Sequence, residues 1–134
     1  MLTIKTVYQG DLRTEATHVR SNTQITTDAP VDNKGKGEAF SPTDLVCTAL
    51  SSCMLTTMAI VADRENVDMS GMKTEVLKIM GSNPRKIAEI QVHLSHPGLN
   101  ATPEQLDKLK HAAHTCPVAL SLHDSVKQTV TFSF

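Results

Sequence analysis

Cysteine is the residue type in this sequence that could carry covalent chemistry. The chain has three: Cys47, Cys53 and Cys116. A thiolate is a nucleophile, and two thiols that meet can form and release a disulfide. No glycine-rich phosphate loop, Cys-x-x-Cys pair or His-Glu-x-x-His motif occurs, so the sites built on those motifs are excluded. The spacing of the cysteines does not distinguish reactive thiols from inert ones. Inert cysteines are the alternative, because buried free cysteine commonly packs as a small hydrophobic residue.

One long apolar helix over residues 41–64 must position the first two cysteines. Ser41 is a suitable N-cap, Pro42 suits the first helical position, and no charged residue lies between 45 and 62. A helix that is apolar nearly all round is expected to be surrounded by protein. Five hydroxyl residues in this run disfavour a membrane span. Three of them follow at four-residue spacing and form a stripe that another helix can approach, namely Thr48, Ser52 and Thr56.

The remaining elements predict a single α+β domain over residues 1–134. Residues 1–28 are predicted as a meander of three strands, and 29–40 as a polar loop rich in glycine and charge. Residues 72–134 are predicted as two strands, a second helix and a last strand. The second helix begins at Thr102, with Gln105 at the capping-box position, and ends at about Thr115 because Pro117 disfavours helical geometry at Cys116. The order βββ–α–ββ–α–β favours antiparallel sheets around a long buried central helix over parallel βαβ units. A Cys53–Cys116 pair therefore needs a tertiary contact.

Composition excludes several function classes. The net charge is −1, which gives no electrostatic basis for a nucleic-acid or membrane partner. Aromatic residues are 3% of the chain and tryptophan is absent, so the stacking surfaces of single-strand binders are missing. The first residues lack the order of a signal peptide, and three cysteines is an odd number for a disulfide scaffold. The last two observations predict a reducing cytoplasm. Because the motifs named above are missing, we expect no cofactor and no metal.

Two stretches resemble the motifs of the OsmC/Ohr family, the osmotically induced proteins and organic hydroperoxide resistance proteins. The run SPTDL at 41–45, followed by Ser51-Ser52-Cys53, resembles the helix start and the small-small-Cys triplet of the first motif. Cys116-Pro117-Val118 resembles the second, Cys-Pro-Val. The order of elements is similar too, so the resemblance covers essentially the whole chain.

The resemblance implies an OsmC-like α+β fold in an intertwined homodimer, with the active sites at the interface. It also implies a thiol peroxidase that reduces organic hydroperoxides or hydrogen peroxide. Cys53 would be the peroxidatic cysteine, which becomes a sulfenic acid. Cys116 would be the resolving cysteine, and an external dithiol would reduce the resulting disulfide. The alternative is a non-catalytic OsmC-like dimer that senses redox state or binds a small apolar ligand.

A thiolate in the middle of an apolar helix needs a nearby cation, because the helix dipole acts only near the helix ends. The resemblance implies an arginine from the N-terminal strands, oriented by a glutamate. Arg13 is the positional match and Arg20 the substitute. Thr43 occupies the position of the family glutamate. Either Asp44 or Glu38 would then replace that glutamate, or no residue does.

The end of the second helix carries a candidate metal site. His111 and His114 share a helix face and lie close to Cys116, so the three could ligate zinc. Exposed histidines near a helix C-terminus, where positive charge is favourable, are the preferred interpretation.

Overall fold

Three strands rich in β-branched residues begin the chain. The computed structural model describes all 134 residues, and its first compact unit is Met1–Val46. Strands β1 (Ile4–Gly10), β2 (Arg13–His18) and β3 (Gln24–Asp28) pair antiparallel in the order β1-β2-β3, as the meander prediction requires. The register places Arg13 directly opposite Asp28.

The loop after β3 folds back on the end of that strand. It contains one turn of 3₁₀ helix, Val31–Asn33. A Cβ at Gly35 would lie 1.7 Å from the carbonyl oxygen of Ala29, so only glycine fits this close approach. The backbone N–H of Asp28 donates to the carbonyl of Phe40 at 3.1 Å. The loop is therefore tied down at the point where it meets the central helix.

Helix α1 (Pro42–Arg64) begins and ends close to the predicted bounds. The Ser41 hydroxyl accepts the N–H of Asp44, and the Asp44 carboxylate accepts the N–H of Ser41, both at 3.0 Å. This reciprocal pair satisfies two backbone donors at the helix start. Pro42 takes the first helical position, where its missing N–H is not needed.

Burial of α1 is one-sided within the single chain, so the expectation of all-round cover is not met there. Its buried residues are Cys47, Leu50, Ser51, Met54, Met58 and Ala62. The exposed stripe comprises Thr48, Ser52, Thr56 and Ile60. The helix is long and apolar enough to cross a membrane, but only by length and composition, and core helices of soluble proteins pass the same test.

The second compact unit is Cys47–Phe134, and its sheet corrects the expectation of antiparallel sheets. Strands β4 (Lys73–Gly81) and β5 (Lys86–Ser95) pair antiparallel, whereas β5 and β6 (Lys127–Ser133) pair parallel. Helices α2 (Pro103–His114) and α3 (Pro117–Ser121) lie between β5 and β6. The prediction of antiparallel pairing was wrong for β6. The connection from β5 to β6 contains two helices and is long enough to return the chain so that β6 runs in the same direction as β5.

The core of this unit is built mainly from α1, β5 and α2. The capping box predicted at Thr102 and Gln105 is present at the start of α2, and the Gln105 side chain also donates to the carbonyl of Glu65 at 3.1 Å. These bonds fix α2 beside the end of α1. Besides the α1 residues, the buried side chains include Ile90, Val92, Leu94, Leu109, Ala112 and Ala113.

Candidate thiol site

Cys53 lies in the middle of α1 and is half-buried, whereas Cys47 is buried. The Cys53 sulfur is 3.9 Å from the hydroxyl of Thr57, one helical turn further along. Side chains four residues apart lie on the same helix face. Cys53 is therefore a thiol that solvent and small molecules can reach.

Cys116 occupies the junction between α2 and α3 and is fully buried. The helix ends before it because Pro117 disfavours helical geometry at the preceding residue, as the sequence predicted. Cys116 is the N-cap of α3, and its sulfur accepts the N–H of Ala119 at 3.4 Å. A backbone bond thus holds the sulfur in one orientation.

The fold brings the two cysteines together although they are far apart in the sequence. Burial raises the pKa of the Cys116 thiol, and the hydrogen bond that it shares with the Cys53 side chain raises it further, while the Ala119 N–H acts the other way. Both thiols are free. The site pairs an accessible thiol with a buried thiol that stays protonated.

Arg13 forms a bidentate ion pair with Asp28 within the N-terminal unit. Its Nε and Nη2 atoms donate to the two carboxylate oxygens of Asp28 at 2.7 and 2.8 Å. Asp28 is fully buried and also accepts the N–H of Glu38 at 3.1 Å. The Arg13 hydrogen bonds hold the pKa of Asp28 below its usual range, against the effect of burial, and the Glu38 N–H lowers it further.

Asp28 is a residue that sequence reasoning missed. The candidates for the acid beside Arg13 were Glu38 and Asp44. The Glu38 carboxylate is exposed and 3.8 Å from the Arg13 guanidinium, and Asp44 caps α1. The sequence contained one indication of a special role for Asp28: it stands at the end of a predicted strand, and aspartate is depleted in strands. Arg20, the substitute for Arg13, is exposed in the turn after β2.

The histidines near Cys116 do not form a metal site with it. No group of three or more His, Cys, Asp or Glu side chains in the chain is arranged to hold a metal ion. His114 is exposed, and its ring packs edge-on against Phe132 at 6.0 Å. It lies at the C-terminal end of α2.

A cleft of about 450 Å³ runs between α1 and α2. Thr57, the neighbour of the Cys53 sulfur, and Thr115, which precedes Cys116, both line it. The charged side chains along the cleft include an ion pair of 3.1 Å between Lys108 and Glu65. The other lining residues are Val61, Arg64, His111 and Ala112. The cleft therefore gives a small molecule access to residues beside both cysteines.

The sequence model of one protein family, described as OsmC-like protein, matches residues 35–131. The chain belongs to the OsmC-like family. The matched range includes both Cys53 and Cys116, and it leaves out Arg13 and Asp28. No curated protein matches the chain.

Solved structures agree with this membership. A candidate osmotic stress induced and detoxification response protein from Psychrobacter arcticus 273-4 is 46% identical, with 98% of this chain and 96% of that chain covered and a TM-score of 0.93. An OsmC-like protein from Mycoplasma pneumoniae is 20% identical, with coverages of 96% and 93% and a TM-score of 0.79. An organic hydroperoxide resistance protein OsmC from Legionella pneumophila is 19% identical, with coverages of 100% and 98% and a TM-score of 0.73. At this level of identity, the similarity to the last two structures shows that they share the fold of this chain.

Proposed function

We propose that this OsmC-like protein is a thiol-dependent peroxidase that reduces organic hydroperoxides. The observation that carries the proposal is the pairing of half-exposed Cys53 with buried Cys116. Structural neighbours called organic hydroperoxide resistance proteins support the substrate class. A reducing cytoplasm suits the proposal, because both thiols must return to the reduced state after each cycle.

The reaction begins when the Cys53 thiolate attacks the terminal oxygen of the hydroperoxide. The O–O bond breaks, the alcohol leaves after taking up a proton, and Cys53 becomes a sulfenic acid. Cys116 then loses its proton and its sulfur attacks the sulfenic sulfur. Water leaves and the disulfide forms. An external dithiol supplies two electrons and two protons, restores both thiols and is itself oxidised to a disulfide.

The different environments of the two thiols suit these roles. The peroxidatic sulfur must meet the substrate, and Cys53 is the more exposed of the two. The resolving thiol must not compete for peroxide, and a raised pKa keeps Cys116 protonated and weakly nucleophilic. Their closeness lets the sulfenic acid condense before it is oxidised further.

For the cation that stabilises the thiolate, we propose Arg13, as the family resemblance implies. Its partner in this chain is Asp28, whose carboxylate fixes the guanidinium through two bonds. A bidentate pair orients an arginine more strictly than a single hydrogen bond does. Arg13→Lys keeps the charge but cannot form the bidentate pair, so the peroxide turnover of this variant should fall, as should that of Arg13→Gln.

We also propose the homodimer that the resemblance implies. The support is the stripe of α1 that one chain leaves exposed, which ends at Ile60 with 58% of its surface accessible. Residues on this stripe other than Ile60 are small, so a second helix can approach closely.

Turnover of cumene hydroperoxide with dithiothreitol tests the peroxidase. Cys53→Ser should abolish consumption. Cys116→Ser should form no intramolecular disulfide, and a Cys53 sulfenic acid should accumulate that dimedone traps and mass spectrometry detects. Cys47→Ser is the matched control on the same helix and should behave as the wild type. Equal consumption by Cys53→Ser and wild type, or slow oxidation of Cys53 without turnover, would contradict the peroxidase, and the second result would favour the redox sensor.

A further inference from the structure

Thr57 lies one helical turn after Cys53, and its hydroxyl oxygen is 3.9 Å from the Cys53 sulfur. Side chains on a helix lean toward its N-terminus, so the side chain at position 57 leans over that at position 53. The distance is at the long end for a hydrogen bond to sulfur. Catalytic hydrogen bonds in unliganded sites are often long and shorten when the substrate binds.

The neighbouring Thr56 shows what a helical threonine usually does. Its hydroxyl donates to the backbone carbonyls of Ser52 at 3.0 Å and Cys53 at 3.3 Å. The Thr57 hydroxyl makes no such backbone bond, and the Cys53 sulfur is its hydrogen-bond partner. The two adjacent threonines thus differ in the partner of their hydroxyl: backbone carbonyls at Thr56 and the Cys53 sulfur at Thr57. Either atom of the Thr57–Cys53 contact can donate while Cys53 is a thiol, but only the hydroxyl can donate to a thiolate, which has no proton.

Thr57 also lines the cleft between α1 and α2, together with Val61 and Thr115. A molecule in the cleft therefore contacts Thr57, the residue whose hydroxyl neighbours the Cys53 sulfur.

We propose that Thr57 is a catalytic residue that donates a hydrogen bond to the Cys53 thiolate and so increases the fraction of Cys53 that is ionised. This inference rests on the peroxidase function proposed above. A hydrogen bond to a charged acceptor is about twice as strong as one to a neutral acceptor, so the hydroxyl stabilises the thiolate more than the thiol. The hydroxyl keeps its proton throughout, and the chemistry of the sulfur is unchanged.

The rate at which iodoacetamide alkylates Cys53, followed by peptide mass spectrometry between about pH 5 and pH 11, tests the proposal. The variants are Thr57→Val, which keeps the shape and loses the hydroxyl, and Thr57→Ser, which keeps the hydroxyl. Thr57→Ser is therefore the matched control at the same position. If Thr57→Val folds poorly, Thr57→Ala makes the same comparison.

For Thr57→Val we expect the midpoint of the alkylation profile to move to higher pH by up to about one unit, a tenfold smaller thiolate fraction at neutral pH. A more basic thiolate is more nucleophilic, with a Brønsted slope of about 0.4–0.5. The rate at neutral pH should therefore fall only about threefold, and the plateau at high pH should rise about threefold. A variant that merely disturbs the helix has no reason to raise the plateau.

Thr57→Ser should follow the wild-type profile. The proposal is overturned if the Thr57→Val profile overlays that of the wild type, or if Thr57→Ser moves as far as Thr57→Val. Alkylation uses no peroxide, so its outcome is distinguishable from the outcome of the turnover assay. Peroxide turnover by the wild type with an unchanged Thr57→Val alkylation profile refutes the role of Thr57 alone. A shifted profile without any wild-type turnover refutes the peroxidase, and the catalytic role of Thr57 with it.

Discussion

At the scale of single residues, the N-terminal unit contains a buried carboxylate that is paired with an arginine. Asp28 is fully buried, and its oxygens accept bonds from Arg13 and from the N–H of Glu38. A buried charge is tolerated when it is paired and hydrogen-bonded in this way. The same bonds hold the pKa of Asp28 below its usual range.

That lowered pKa predicts a pH dependence of stability. Because the folded-state pKa of Asp28 lies below its unfolded-state value, the stabilisation is present above the unfolded value of about 4 and is lost as pH falls through the folded value. Urea midpoints from pH 7 to pH 2.5 should therefore drop more steeply for the wild type than for Asp28→Asn, which should already be less stable at pH 7. Asp107→Asn, an exposed acid on α2, is the control and should keep the wild-type slope. Parallel curves for Asp28→Asn and wild type would contradict the ion-pair interpretation.

At the scale of elements, local caps fix where the helices begin. The Thr102 hydroxyl accepts the N–H of Gln105 at 3.2 Å, and the Gln105 side chain accepts the N–H of Thr102 at 2.9 Å. The second amide atom of Gln105 reaches the carbonyl of Glu65 beyond the end of α1. The cap of α2 therefore also joins two helices that line the cleft.

Removal of this cap should destabilise the fold measurably. Thr102→Ala should lower the free energy of unfolding by about 1 kcal/mol, the usual cost of losing a hydroxyl N-cap. Gln105→Ala should cost more than Thr102→Ala does, because it also loses the bond to Glu65. Urea denaturation measures both, with Asn100→Ala, an exposed residue two positions earlier, as the control. A Thr102→Ala variant as stable as Asn100→Ala would show that the cap contributes nothing.

At the scale of the whole molecule, the apolar helix α1 has more apolar surface than one chain covers. Its inward face supplies fully buried side chains such as Leu50, Met54 and Met58. Its outward stripe ends at Ile60, which is 58% exposed. A helix without charge from 45 to 62 is expected to be covered on both faces, and a second copy of the chain is the cover that we propose.

Sedimentation of the purified protein tests the proposed dimer. The wild type should sediment at twice the chain mass of 14.5 kDa, and Ile60→Asp should shift it toward the mass of one chain, because burying an unpaired carboxylate is unfavourable. Val31→Asp is the control, since Val31 is 74% exposed and lies in the polar loop. The dimer proposal fails if the wild type sediments at 14.5 kDa at every concentration. A wild-type mass for Ile60→Asp would mean that this stripe is not the interface.

The sequence by itself determined the features that depend on near neighbours. The start of α1 at Pro42 and the capping box of α2 follow from residues within one helical turn. The end of α2 follows from Pro117. The two cysteine motifs identified the family before any fold was known, because motif residues are read directly from the chain. The roles that the family implies for Cys53 and Cys116 remain proposals.

The tertiary structure decided what depends on residues far apart in the chain. Hydrophobic alternation predicts a strand but not the direction of its partner, so the parallel pairing of β5 with β6 was not foreseen. The pairing of Arg13 with Asp28 depends on the register of two strands, and the approach of Cys116 to Cys53 depends on how α2 and α3 return the chain. Such contacts form between elements, and no local rule of sequence encodes which elements will meet.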